Sequence, residues 1–380
     1  MFNLITIILQ LGSLQAFILA VILFNQKKNA RASKILAFLL IIIGVTCFLY
    51  ALNSLAFYLE FPHLIRVVWG LPLLFGPLLY LYTKSMIDSN LRLSRIDIKH
   101  GLPFIINTIL LIPFYLKSAE VKIQSLDYFT ASITAGTDNY AIYYYVLQFV
   151  IIGIGIHYGL RSLKVLNIYQ EQLLYEFSEI QHRKVQWLNQ LIWLFVALFV
   201  GLIFFNFRAA FDRYANFDYQ VFFYIGTAVI VYVMSFKTFS QPQLHALELV
   251  NKKNKASIIS KKSEPVLLGE KGRELTDLMQ NDKPFLNWEL SAKELSEKLN
   301  ISRHQLSDIL NGEVGKNFYD FVNEYRVNEF KLKLLDLKNS NLTILALAYD
   351  SGFSSKSSFN LAFKKLTGMT PSQFKKQQTN

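Results

Sequence analysis

Apolar residues along this chain come in two textures. Up to Phe239 they run in long blocks, and from Glu270 onward they recur at the three- and four-residue spacing of short helices. A hydrocarbon layer about 30 Å thick is crossed by roughly 20 mostly apolar residues in a helix. Windows near 3–24, 35–57, 67–86, 99–116, 141–161, 187–207 and 219–239 meet that requirement, which predicts seven transmembrane helices. Pro72, Pro77, Pro103 and Pro113 interrupt the third and fourth, an interruption that buried membrane helices tolerate. The first block is expected to be a span rather than a cleavable leader, because its apolar core is too long and no basic residues precede it.

Charge between the blocks alternates. Lys27, Lys28, Arg31 and Lys34 fill the first loop, Lys84, Arg92, Arg95 and Lys99 the third, and Arg161, Lys164, Arg183 and Lys184 the fifth. The intervening loops hold fewer basic residues and carry Glu60, Glu120, Asp127, Asp138, Asp212 and Asp218. Cytoplasmic loops are enriched in Lys and Arg. The amino terminus is therefore expected outside, and the carboxyl-terminal third in the cytoplasm. In the fifth loop Leu166, Tyr169, Leu173, Leu174, Phe177 and Ile180 recur at three and four, with Glu171, Glu176 and Glu179 between them. That is an amphipathic helix, expected to lie on the bilayer surface, with a partner-binding or coupling role as the alternative. Asn107, Gln148, His157 and Asn206 are polar within the spans; with no Asp, Glu or Arg in mid-span, interhelical hydrogen bonding is the expected role, ahead of a ligand or proton site.

Beyond Phe239, Pro242, Pro265, Gly269, Gly272 and the lysines 252, 253, 255, 261 and 262 read as a flexible basic linker over 241–269, able to rest against anionic lipid. The soluble pattern then begins. Ser291 with Glu294, and Ser302 with Gln305, are spaced as helix caps around a short turn, which makes a helix-turn-helix with Leu306, Ile309 and Leu310 inward. A longer helix follows, carrying Phe318, Phe321, Val322, Tyr325, Val327, Phe330, Leu332 and Leu335. A second unit repeats the theme: Thr343 opens a helix with Ile344, Leu345 and Ala348 inward, Gly352 breaks it, and Ser354 caps a helix with Phe359 and Phe363 inward. The chain is thus expected to be all-α, with a seven-helix transmembrane bundle over 1–240 and a soluble domain over 270–380 holding two helix-turn-helix units joined by a linker helix.

Composition sharpens this. The chain is 52% hydrophobic and only 17% charged, below the roughly 25% of soluble domains. Its net charge of +12 suits nucleic acid or an anionic membrane surface. Cys47, the single cysteine, sits in an apolar run and excludes an intrachain disulfide or a cysteine-rich zinc site. The six histidines lack metal-binding helical spacing. Neither a cofactor nor an enzymatic constellation is expected.

From Ile344 to Phe374 the chain resembles the AraC/XylS family of bacterial transcription regulators, through the apolar helix, Gly352-Phe353, the serine-rich helix start, Phe359, Phe363-Lys364-Lys365, Thr367-Gly368 and Thr370-Pro371-Ser372. The resemblance extends upstream through LNISRHQLSDILNGEVGKNFYDFVNEYRVNEFK and covers about Glu270 to Lys376, less than a third of the chain. Joined to a membrane part, the combination looks like the membrane-tethered regulators of Bacteroidetes-type bacteria. The resemblance implies an all-helical domain that places two recognition helices in successive major-groove segments. Carried over by position, the first reader holds Ser302, Arg303, His304, Gln305 and Ser307; the second holds Ser355, Lys356, Ser357 and Asn360, and Lys364 with Lys365 matches the family's basic pair. Asp308 and Leu361 depart from the family pattern; no base contact is expected of either, and Leu361 is expected to pack. Arg326 and Lys331, on the connecting helix, are expected to be structural or solvated. Acids including Glu289, Glu294, Glu297, Glu313 and Glu324 offset the lysines of this region, so binding should depend on one basic face and weaken with salt.

These readings converge on a regulator in the bacterial cytoplasmic membrane whose cytoplasmic domain binds double-stranded promoter DNA under control of a signal sensed by the bundle. Membrane lipid, RNA polymerase, a second copy of the chain and a small or lipidic ligand are the further expected partners. The alternatives are a transporter or membrane enzyme with a regulatory DNA-binding tail, and a regulator released by proteolysis in the linker.

Overall fold

The computed structural model describes residues 2–26, 30–52, 55–88, 97–126, 139–180, 186–211, 220–238, 265–339 and 341–379. Among them all regular structure is helical, and the only strand-like pairing is an isolated antiparallel bridge between Phe177 and Ser291. The all-α expectation holds. The chain divides into two compact units, one of Met1–Leu166 with Val185–Glu248, the other of Asn167–Lys184 with Leu249–Asn380.

Among the described residues six helical segments are long and apolar enough to cross a membrane: Leu4–Phe24, Ala30–Ala51, Pro62–Ile87, Asp97–Tyr115, Tyr143–Glu176 and Gln186–Phe204, the fifth ending in the second unit. Where a seventh span is expected there is a helix, Gln220–Thr238, whose apolar stretch Gln220–Ser235 is shorter than the others. Prolines explain the shape of the third segment. Pro72 sits in a 3-10 turn, Leu71–Leu74, and Pro77 in the first turn of the helix Phe75–Ile87, where its missing N–H has no carbonyl to serve.

Small residues set how closely these helices approach. A Cβ on Gly155 would lie 2.5 Å from the Phe199 ring, and one on Gly159 would lie 2.4 Å from Val196. This Gly-x-x-x-Gly face lets the helices Asn139–Glu176 and Gln186–Phe211 pack at a separation that side chains would forbid. Cys47 is buried beside Thr227, with Sγ 3.2 Å from the hydroxyl, as a small packed side chain. Asn206 donates within its own helix to the Leu202 carbonyl at 2.8 Å, and Tyr143 donates to Asn107 Oδ1 at 2.6 Å, so both asparagines serve as hydrogen-bonding groups. Outward positions such as Leu4, Leu11, Leu14 and Ile18 are exposed and apolar, a surface ill suited to water.

The fifth-loop helix differs from expectation. It continues the preceding span as one helix of 38 residues, Asn139–Glu176, about 57 Å long at 1.5 Å per residue. Leu166, Tyr169 and Leu173 are at most 1% exposed, so protein covers this apolar stripe and the bilayer-surface role gives way.

The second unit holds the helices Pro265–Asn281, Ala292–Lys298, Arg303–Ile309, Phe318–Leu335, Ile344–Asp350, Lys356–Thr367 and Pro371–Thr379. Residues 241–264 of the expected linker lie outside the described residues, as do the loop stretches 89–96, 127–138 and 212–219; from Pro265 the chain is helical. Two hydrophobic clusters form. Leu275, Leu295, Leu306, Phe318 and Val322 belong to the first, and Val327, Phe330, Leu347, Phe359 and Phe363 to the second. The helix Phe318–Leu335 contributes to both and so joins them. Past Phe330 its inward position is taken by Leu334, and Leu332 and Leu335 are exposed. In Ile344–Asp350, Leu347 is buried with Ala348, and Leu345 is only half-buried.

Gly352 has a φ of +91°, and a Cβ there would sit 2.3 Å from the Phe285 carbonyl oxygen. Gly352→Ala is expected to destabilise the second unit by more than about 1 kcal/mol, measured as loss of amide-exchange protection across residues 285–363.

Candidate nucleic-acid interface

The first reader is held by local hydrogen bonding. Asn300, with a φ of +54°, turns the chain between Ala292–Lys298 and Arg303–Ile309. Ser302 caps the second of these in a reciprocal box, its side chain accepting from the Gln305 N–H while Gln305 Oε1 accepts from the Ser302 N–H at 2.9 Å. The box orders both side chains at the amino end of the helix. Arg303 and His304 are exposed; His304 Nδ1 lies 2.7 Å from Asp308 Oδ2, so Asp308 is engaged along its own helix. Ser307 is half-buried and accepts from Asn311 Nδ2 at 3.0 Å. A tight π-turn, Leu310–Val314, ends the helix at Gly315, whose φ is +69°.

The second reader is longer. Its cap is Ser355, which accepts from the Ser358 N–H, and not Ser354, whose hydroxyl is engaged elsewhere. Gly368, with φ +76°, closes the helix Lys356–Thr367 after 12 residues. Phe359, Ala362 and Phe363 are buried, and Lys356, Ser357, Asn360, Lys364 and Lys365 are exposed. Two of the expected features change here. Lys365 Nζ is 2.6 Å from Asp320 Oδ1 and 2.8 Å from Oδ2, which ties it to the connecting helix. Leu361, expected to pack, is 49% exposed, because the inward face is already filled by Phe359 and Phe363. It stands beside Asn360 as an apolar group on the outer face, the type of side chain that meets a thymine methyl.

Between the readers lies Arg326, which is fully buried. Its Nε donates to the Phe285 carbonyl at 2.8 Å, Nη1 to the Ser178 carbonyl at 3.2 Å, and Nη2 to Ser178 Oγ at 3.0 Å and the Asn287 carbonyl at 2.8 Å. Burial lowers its pKa to about 10, opposed by the charge of Glu179 and by Tyr319. Two of these four bonds go to the loop residue Ser178, which also donates to the Leu290 carbonyl through Oγ at 2.6 Å and through its N–H at 3.3 Å. Asn323 adds a bond to the Ser178 carbonyl at 3.3 Å. Residues flanking Ser178 touch both readers. Glu176 pairs with Arg303 at 3.4 Å, and Glu179 accepts from Ser354 at 2.7 Å, one residue before the second cap. Arg326 is structural, as the sequence leads one to expect. Nothing in the spacing pointed to Ser178, whose only sequence signal is its place at the end of the amphipathic stripe.

Comparisons with known proteins bear on this region alone. A family profile described as a helix-turn-helix domain matches residues 295–377. An uncharacterised helix-turn-helix-type transcriptional regulator of Staphylococcus aureus is 38% identical over 87 residues, which is 23% of this chain and 11% of that protein. A putative AraC-like transcription regulator of Streptomyces lividans is 26% identical over 96 residues, 25% of this chain and 30% of its own length. The solved structure of a protein of unknown function from Listeria innocua aligns with 30% of this chain and 97% of its own at 29% identity, with a TM-score of 0.24. The chain thus carries a C-terminal helix-turn-helix domain of the kind found in transcription regulators, and it spans only a small part of the curated relatives it matches.

Arg326→Met would leave the carbonyls of Phe285, Ser178 and Asn287 short of a donor. A destabilisation of about 3 kcal/mol is expected, read in detergent-solubilised full-length protein as a lower denaturant midpoint for the second unit.

Proposed function

We propose that this protein is a membrane-anchored transcription regulator: the helix-turn-helix domain binds promoter DNA through its two reader helices, and the apolar helical unit both anchors it and controls it. The DNA-binding reading rests on the matched domain and on two exposed helix faces of complementary chemistry. Arg303, His304 and Gln305 stand at the amino end of the first reader, with Ser302 and Ser307 more locally engaged. Lys356, Ser357, Asn360 and Lys364 line the second, after its Ser355 cap, with Lys365 held toward Asp320. Arg and Asn offer bidentate contacts to guanine and adenine edges, and Lys offers a point charge for phosphate.

Membrane anchoring rests on the six long apolar helices and on basic residues clustered in alternate loops. The cytoplasmic placement of the domain follows from the same bias. A bacterial cytoplasmic membrane is the site that brings such a domain to DNA.

The single observation that carries the control reading is the composition of the second unit. It contains both readers and also Asn167–Lys184, the loop between two of the apolar helices. Glu176 holds Arg303, and Glu179 holds the residue preceding the second cap. In this arrangement a carboxylate stands beside each reader, where approaching phosphates meet repulsion. A movement of the membrane helix that withdraws Glu176 frees Arg303 for DNA. The same docking argues against simple release by proteolysis, because a cut within 241–264 leaves the readers bonded to the loop through Ser178.

Chromatin pull-down from membrane fractions with a carboxyl-terminal tag tests the proposal. Recovery of specific promoter fragments with full-length, membrane-bound protein is expected; recovery only with a soluble fragment defeats it. Lys356→Ala and Lys364→Ala should each weaken binding across all sequences and lower the salt-dependence slope by about one, by electrophoretic mobility shift at several salt concentrations. Glu176→Gln should act in the opposite direction and tighten promoter binding several-fold at low salt, as judged by the same assay.

A further inference from the structure

Lys122 is a loop lysine by sequence, yet only 1% of it is exposed. Its ammonium donates to the Tyr115 carbonyl at 2.8 Å and to His63 Nδ1 at 2.8 Å. Neither partner is a carboxylate. Among the described residues no ion pair involves Lys122. An ammonium removed from water is costly unless a counter-charge or a full set of acceptors replaces the lost hydration. Among the described residues the third N–H of Lys122 has neither.

What Lys122 borders is a cavity of about 300 Å³, also lined by Gly70, Phe104, Asn107 and Thr108. That volume is at the small end of ligand sites, which run from about 300 to 1,000 Å³. Lys122 and Asn107 supply its nitrogen donors. Tyr143 donates to Asn107 Oδ1 at 2.6 Å, which orients the amide with its NH2 group away from that bond; Nδ2 lies where a Cβ on Gly70 would be, 2.3 Å distant, so only glycine leaves it room. Arg66, 4% exposed and outside the lining, is packed with its guanidinium 4.1 Å from the Phe114 ring centre and 4.9 Å from that of Trp69. Phe104, Val67 and Leu71 form the apolar part of the wall, beside His63, Thr108 and Tyr115. A buried ammonium and an amide donor beside apolar side chains are complementary to an anion with a hydrocarbon body.

We infer that this cavity is a ligand site for a small organic carboxylate with an apolar body, the carboxylate held by Lys122 and Asn107 and the body by Phe104 and its apolar neighbours. The loops that carry His63 and Lys122 are those the charge bias assigns to the outer side, so the site opens where an external solute arrives. Its role as the sensed signal rests on the proposed function; the binding itself does not.

The test uses full-length protein in nanodiscs of zwitterionic lipid, with octanoate as probe, 1-octanol as its uncharged counterpart and octyl phosphate as the other anion class. Titration calorimetry on the unaltered protein is expected to give saturable octanoate binding, with 1-octanol at least about tenfold weaker. Lys122→Met should lower octanoate affinity to the level of the alcohol, and Lys122→Arg should recover part of it. Equal binding of octanoate and octanol, full octanoate affinity in Lys122→Met, or no saturable octanoate binding overturns the site, and the first and third comparisons need no variant to fold. Octyl phosphate bound more tightly than octanoate overturns the carboxylate assignment in favour of a phosphate. Promoter binding by the same nanodiscs, with and without octanoate, separates the two levels: binding with no change in promoter affinity leaves the site standing and removes its role as the signal.

Discussion

A guanidinium cannot stay charged in a protein interior without acceptors, and the C-terminal unit is arranged around that requirement. Arg326 reaches the carbonyls of Phe285 and Asn287 on one side and both oxygens of Ser178 on another. It sits on the connecting helix between the two hydrophobic clusters, and its Nε would lie 3.1 Å from any Cβ placed on Gly352. First helix-turn-helix, loop and second helix-turn-helix therefore meet at one side chain. Removing any partner strands a buried polar group, so the three segments are coupled in stability even though each is locally well formed.

This coupling gives the helix Asn139–Glu176 its importance. It is a continuous helix of 38 residues, of which Asn167–Glu176 belongs to the unit that holds the two helix-turn-helix pairs. At its end, Glu176 and Glu179 bring carboxylates to side chains at the beginning of each reader. The exposed pair between Arg303 and Glu176 is weak in free energy. Strength lies two residues on, in the buried bonds of Ser178.

Much of the architecture was legible because its signals are local. Blocks of about twenty apolar residues, the Ser302 to Gln305 box, the serine-rich start of the second reader and the inward Phe359 and Phe363 all depend on neighbours within a few positions. The misassignments were local as well. Ser354 and Ser355 are adjacent serines, and only the backbone turn decides which one accepts from the helix. Leu361 falls one position off a face that two phenylalanines already fill. The Gly155 and Gly159 pair was legible in principle as a small-residue repeat, although its partner Phe199 was not.

By itself the sequence determined that the chain is all-α, greasy at the front, and built from two helix-turn-helix units at the back, since hydrophobic period and helix caps act over one or two turns. Only the tertiary structure decided that Ser178 serves Arg326 across 148 positions, that Glu176 holds Arg303 across 127, and that Lys122, a charged loop residue, is buried against His63. Such partners carry no periodic mark. They are selected by the need of a buried charge for acceptors, and which acceptors are within reach is settled only when the chain has folded.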